Sequence, residues 1–345
     1  MATQFRHNTW NSSHSIRTRV MSSLDSPAFQ AALHGTAIFS LPGRTHLEIT
    51  GADRASFLHN FCTNHIKGLA VGQGCEAIVT NIKGRILFYV LVFAGAESLW
   101  VETEPGQGAA LLAHLDRYII TEDVQLADHS ADFGQLYLSG AGAEALLAQI
   151  SGIEWETVPH PGQRIVEGVM ARRFSFGPVP GFSLVGPLSE IAPWQAKLLA
   201  MGAVSAPFEL FEALRIDAGF PRHGVDLSED QLAQEANRTK LAISFTKGCY
   251  LGQEPIARID ALGHVNRLLC GVTSDDPAGI PSGTEVFAKR DATTPSGTLT
   301  STAVWPETGR TIGLGLLRRE LGQDGTECFL GPDRLPAHVR VWPGR

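Results

Sequence analysis

A chain of 345 residues, 43% hydrophobic and 18% charged, can bury a sizeable core and lies outside the composition of disordered proteins. Its formal charge of −7 gives no global positive field, which disfavours tight nonspecific binding to a phosphate backbone. The five cysteines lack the density of a disulfide-stapled secreted domain and read as reduced thiols, and the longest apolar runs, such as Ile86 to Ala94, fall far short of the roughly 20 residues that span a bilayer.

In chain order, Met1 to Leu24 carries Arg6, Arg17, Arg19 and many serines but no acid, which has the flavour of an organelle-targeting peptide. A disordered arm over 1–30, or a true start near Met21, is the alternative. Thr45 to Thr50 alternates as a strand, and Asp53 is placed to cap a helix carrying Phe57, Leu58 and Phe61. Two apolar runs, Cys75 to Asn81 and Arg85 to Phe93, flank Ile82-Lys83-Gly84 as a hairpin. A strand over Leu99 to Thr103, a helix over Gly108 to Tyr118, strands at Val124 to Ala127 and Phe133 to Ser139, and a helix over Gly140 to Ile150 complete a first α+β unit, 31–155. A second unit, 156–264, has strands at Val169 to Phe176 and Phe182 to Val185 and a helix over Ile191 to Met201. It also has a helix from Pro207, with an apolar stripe at Phe208, Phe211 and Leu214, that stops at Gly219-Phe220-Pro221. Beyond Gly263, short β runs separated by Gly, Pro and Asp turns predict an all-β barrel or sandwich over 265–345.

The segment Lys247-Gly248-Cys249-Tyr250-Leu251-Gly252-Gln253-Glu254-Pro255-Ile256-Ala257-Arg258 stands out. Two glycines bracket a cysteine in a tight turn, and Gln253-Glu254-Pro255 can open a helix, since proline tolerates the first turn. Cys249 then sits near a helix N-terminus with Lys247 and Arg258 close in sequence, an arrangement that favours thiolate over thiol. A packed, inert cysteine is the alternative.

This segment resembles the signature of the YgfZ-type folate-binding proteins. Ile49-Thr50-Gly51-Ala52-Asp53, Asn81-Ile82-Lys83-Gly84-Arg85 and Leu214-Arg215-Ile216-Asp217-Ala218-Gly219-Phe220-Pro221 extend the resemblance from Thr45 to Leu317. It implies the fold of the glycine-cleavage aminomethyltransferase, the T-protein: two interleaved antiparallel α+β units around a folate channel, plus a C-terminal β-barrel. It also implies tetrahydrofolate or another reduced folate as cofactor, and a role in maturing iron–sulfur proteins, mainly four-iron ones. Partners would be the iron–sulfur assembly machinery and its clients in the cytoplasm, or in the mitochondrial matrix if the N-terminus is a leader. Direct nucleic-acid and membrane partners are not expected. By the same resemblance Cys249, Lys247 and Arg258 would carry the chemistry, and Phe211, Arg215, Asp217, Lys83, Arg85, Tyr250, Gln253 and Glu254 would contact folate. Core packing for Phe211, an exposed salt bridge for Arg215 and Asp217, and solvation for Lys83 and Arg85 are the alternatives.

Two departures bear on activity. The hairpin acids that aminomethyltransferases use look replaced by Phe88 and Tyr89, which argues against aminomethyl transfer, and His65 stands where aspartate is more frequent. A folate-dependent one-carbon transferase or demethylase remains the alternative function. His59, Cys62 and His65 are a weak metal constellation without a fourth ligand, and no dinucleotide fingerprint occurs.

Overall fold

The computed structural model describes residues 26–277 and 279–342, so the arginine- and serine-rich stretch ending at Leu24 lies outside it. Helix α1 (Pro27–Leu33) buries Phe29, whose ring meets Trp305 edge-on at 5.4 Å. Residues 27–30, expected to end a disordered arm, are therefore helical, because a distant aromatic gives that short apolar turn something to dock on.

There follow β1 (Ala37–Ser40), β2 (Thr45–Thr50), α2 (Arg54–Phe61), β3 (Gly74–Thr80), β4 (Ile86–Ala94), β5 (Leu99–Thr103), α3 (Gly108–Asp116), β6 (Gln125–Asp128), β7 (Phe133–Ser139) and α4 (Ala143–Ser151). Next come β8 (Gly162–Val166), β9 (Val169–Arg173), β10 (Gly181–Pro187), α5 (Leu188–Ala200), β11 (Val204–Ser205), α6 (Phe208–Asp217), α7 (Thr239–Ala242) and α8 (Gln253–Leu262). The chain closes with β12 (Arg267–Ser274), β13 (Glu285–Phe287), β14 (Gly297–Val304), β15 (Thr311–Arg318), β16 (Glu327–Leu330) and β17 (Leu335–Arg340). Asp53 does take the N-cap position of α2, but its carboxylate accepts the Asp123 N–H at 2.9 Å instead of a helix amide.

One sheet, ordered β3-β4-β5-β2-β6, is antiparallel throughout. Leu47, Val90 and Val101 on one face bury Phe57 and Leu58 of α2 and Leu111 and Leu115 of α3. The second sheet, β11-β1-β7-β10-β9-β8, takes β1 and β7 from before residue 155 and the rest from after it, so the expected units 31–155 and 156–264 share a sheet. Its β1–β11 pair is parallel. The last six strands form a closed barrel, β12-β15-β14-β13-β16-β17, which leaves no sheet edge to protect. A core containing Tyr89, Phe176, Phe211, Phe220, Tyr250, Leu269 and Ile312 ties both sheets, α6 and the barrel together. This is the α+β architecture with a C-terminal barrel that the sequence predicts.

Candidate functional site

The turn before α8 is fastened to the end of α2, the loop beyond it and β3. Lys247 is buried and points its ammonium inward, donating to the carbonyls of His59, Cys62 and Asn64, the last two at 2.6 and 2.8 Å. These carbonyls lie at and just beyond the end of α2, where carbonyls lack helical partners and attract cations. The Lys247 Nζ also sits 4.7 Å from the centre of the Tyr250 ring. Leu251 N–H donates to Asn60 O at 2.9 Å, and the Thr80 hydroxyl donates to Leu251 O at 2.7 Å. Gly252 has φ +85°, and a Cβ there would stand 2.3 Å from Asn81 O, so only glycine lets the hairpin approach so closely.

Cys249 is exposed on this turn, whereas Cys62, Cys270 and Cys328 are buried and Cys75 is partly buried. Burial pushes the Cys62 thiol up to about 11 and those of Cys270 and Cys328 to about 12. Lys247 does not serve Cys249 as the sequence suggested. Burial lowers the lysine's pKa, and the thiols that act on its charge are Cys62 and Cys75. Arg258 is exposed on α8, and among the described residues no hydrogen bond or ion pair joins it to Cys249. Tyr250 is buried under the turn, Gln253 is half-buried and Glu254 exposed in the first turn of α8. Lys83 is exposed at the hairpin tip, and Arg85 donates to Asp230 O at 2.6 Å.

Around α6 the predicted residues separate. Phe211 is buried and, with Phe208, Leu41, Pro42 and Pro105, walls a cavity of about 340 Å³ whose polar end holds Arg44, Glu104 and Arg222. Arg215, one helical turn on, does not reach that cavity's wall. It binds Asp226 at 2.6 Å, Glu212 at 2.6 Å and the Ser301 hydroxyl at 2.7 Å, joining α6 to barrel strand β14. Burial works against this guanidinium, but Asp226 and Glu212 outweigh it and raise its pKa. Asp217 pairs with Arg340 of β17, and its carbonyl accepts Trp342 Nε1–H at 3.0 Å. Arg215 and Asp217 thus join α6 to the barrel, Arg215 through a buried network and Asp217 through a partly exposed pair, and neither lines the Phe211 cavity.

The same charges continue toward the cavity. Glu104 accepts from Arg44 at 2.7 Å and from Arg222 at 2.8 Å, and Arg44 and Arg172 clamp Glu102 at 2.8 and 2.7 Å. Burial alone would raise Glu102, yet Arg44 and Arg172 hold it at about 2. Sequence reading missed Arg44, Glu102, Glu104 and Arg222, whose pairings with one another span 58 to 118 positions. Only Phe208, on the helical stripe with Phe211, was signalled.

On the hairpin, Phe88 packs against His114 and His223, with ring centres 6.2 and 5.8 Å apart. The Tyr89 hydroxyl bonds Glu76 and Arg238, and Arg238 grips Glu76 through two contacts of 2.6 Å. A carboxylate does stand on the hairpin, in β3, but it is locked to a guanidinium. His59 meets His65 edge-on at 5.1 Å, and among the described residues no group of three or more candidate ligands is arranged to hold a metal. No described helix is long and apolar enough to cross a membrane.

The family model described as the GCVT N-terminal domain matches residues 1–247. A Yersinia enterocolitica protein named tRNA-modifying protein YgfZ is 30% identical over 233 residues, 67% of this chain and 69% of its own length. An aminomethyltransferase of Listeria monocytogenes is 24% identical over 320 residues, 91% of this chain and 87% of its own. The solved aminomethyltransferase T of the glycine cleavage system from Bartonella henselae superposes with a TM-score of 0.82 at 19% identity, covering 92% of this chain and 88% of that one, and so shares the fold. With the Lys247 to Glu254 turn in place on that fold, the chain belongs to the GCVT family as a YgfZ-type member.

Proposed function

We propose that this protein is a reduced-folate-binding accessory factor for the assembly or repair of iron–sulfur proteins, mainly four-iron ones, acting in the cytoplasm through Cys249. The observation that carries this reading is the contrast between one exposed thiol on a rigid turn and four thiols partly or fully buried. An exposed sulfur on fixed backbone can reach a client's cluster or persulfide, whereas buried thiols with raised pKa values stay inert.

The Phe211 cavity supports the folate half of the reading. Its volume of about 340 Å³ lies within the range of small-molecule sites, and Phe208 and Phe211 offer apolar surface for a flat ring. Each Glu104 oxygen accepts one guanidinium and keeps a lone pair for a ring N–H. Arg222, partly exposed at the rim, has donors left for a carboxylate tail. A reduced folate, when bound, would supply one-carbon chemistry at its N5 nitrogen. The chain's own residues would bind and orient it, while the clamped Glu76 and the apolar Phe88 leave no free carboxylate on the hairpin to move a proton. That favours the accessory role over aminomethyl transfer.

Titration of the full chain with tetrahydrofolate, beside a glycine-cleavage turnover assay and complementation by Cys249→Ser, tests the proposal. Saturable binding, no turnover and failure of the serine variant to support four-iron enzymes are the expected results. Robust turnover, or a serine variant with full activity in cells, overturns it.

A further inference from the structure

Where α8 gives way to the barrel, His264, Asn266, Arg267, Arg318, Arg319 and Glu320 line a groove of about 470 Å³. The β12–β15 register sets Arg267 directly opposite Arg318. Like charges facing each other across an antiparallel pair destabilise a sheet. The neighbouring acids answer only one arginine of the pair. Glu235 touches Arg267 at 3.2 Å and is also tied to the Leu232 N–H, while Glu320 accepts the Ser296 hydroxyl at 2.7 Å. Arg318 and Arg319 are exposed, and their side chains make no hydrogen bond or ion pair among the described residues.

Their backbones, by contrast, are fixed. Arg318 N–H donates to Ser296 O at 2.7 Å and Arg319 N–H to Asn266 O at 2.9 Å. Three guanidinium groups thus project from one rigid rim of a protein whose formal net charge is −7. All three are arginine. A guanidinium fork pairs with two oxygens at once, and a phosphate offers three or more oxygens and up to two charges, enough to serve two forks together. We propose that this groove binds a phosphate-bearing ligand, which bridges Arg267 and Arg318 and turns their repulsion into a ligand-dependent stabilisation.

The test uses the full chain and two probes, inorganic pyrophosphate by calorimetry and a short single-stranded RNA by fluorescence anisotropy, with a poly-glutamate peptide as the carboxylate control. Wild-type protein is expected to bind pyrophosphate saturably. The Arg318→Gln/Arg319→Gln double variant should bind about tenfold or more weakly, and Arg290→Gln, elsewhere on the barrel, as wild type does. Pyrophosphate should raise the Tm of wild type and leave that of the double variant unmoved, while the ligand-free double variant melts no lower than wild type. RNA binding that falls steeply with salt and is lost in the double variant identifies a nucleic-acid backbone as the source; binding of pyrophosphate alone identifies a small phosphorylated ligand. The proposal fails if neither probe binds, if the double variant binds as wild type does, or if poly-glutamate binds as tightly as pyrophosphate.

Discussion

The turn before α8 and the end of α6 both carry residues conspicuous in the sequence, yet they are built from different interactions. The turn is held by a lysine capping three carbonyls, a threonine hydroxyl on a fourth, and a glycine that lets two backbones touch. Its side-chain chemistry is left over: Cys249 faces out. The end of α6 is the reverse. Its charged side chains are wholly engaged with one another and with the barrel, and nothing reactive is left over. A conspicuous pattern in sequence can therefore mark a presented group or a buried joint, and the partners decide which.

The sharpest way to break this comparison is to remove the joint. Arg215→Ala leaves Asp226 buried without its cation and is expected to cost about 3–5 kcal/mol in urea unfolding. Arg85→Ala, which releases one backbone carbonyl, should cost under about 1.5 kcal/mol. Equal losses at the two arginines would show that the α6 network is no more structural than the hairpin tip.

Acid probes the neighbouring Arg44–Glu102–Arg172 cluster without mutation. Glu102 is held at about 2 against an ordinary 4.5, so the unfolded chain binds the proton first and stability falls as pH drops from about 4.5 toward 2. The depression corresponds to about 3 kcal/mol, present in full above pH 4.5. Burial keeps His46 neutral down to about 3 against an ordinary 6.5, and this depressed pKa acts with the same sign. Thermal melts should therefore show a decline that begins below about pH 6.5 and steepens below about 4.5. A Tm constant from pH 6.5 to 3.5 would contradict the charge assignments.

The motif turn is tested through its glycines. Gly252→Ala brings a Cβ to 2.3 Å from Asn81 O at φ +85° and is expected to destabilise by about 2–3 kcal/mol. Gly248→Ala meets nothing within 4 Å and should stay within about 0.5 kcal/mol of wild type. If the two substitutions cost the same in chemical denaturation, the turn is not held by close backbone approach.

What was legible follows the same division. The β3–β4 hairpin, β5, β7, α6, the opening of α8 and most of the barrel strands announce themselves through local periodicity and turn residues, because their signals lie within a few positions. Strands β1, β8 and β11 did not. The four-residue β1 and the two-residue β11 are too short to show a period and pair across long separations, whereas β8, which pairs locally with β9, is an edge strand whose sequence Gly162-Gln163-Arg164-Ile165-Val166 has no apolar alternation. Among site residues, the Lys247 to Glu254 turn was visible as a unit, and Phe211 was visible on its stripe. The Arg44–Glu102–Arg172 and Glu104–Arg222 contacts were not, since no pattern in one dimension pairs an arginine with an acid so many positions away. Lys247 was visible but misread, because its carbonyl partners come from α2 and the loop beyond it, and sequence proximity to Cys249 does not report which way a side chain turns.

The smallest expected effect on stability is the most informative about function. Cys249→Ser replaces an exposed thiol by a hydroxyl of similar size, in a turn whose anchors lie at Lys247, Leu251 and Gly252. Unfolding free energy should shift by no more than about 0.5 kcal/mol. Alkylation should discriminate in the other direction: in the native state a small maleimide or iodoacetamide should modify Cys249 well ahead of Cys62, Cys270 and Cys328, whose thiols are buried and shifted upward. Peptide mapping after limited alkylation reads this directly. If Cys249 reacts no faster than the buried three, or if its serine variant loses stability as Gly252→Ala does, then the thiol belongs to the packing of the turn and the contrast with the α6 joint disappears. If it reacts first and its loss leaves the fold intact, the turn is a mount, and the group it mounts is a sulfur.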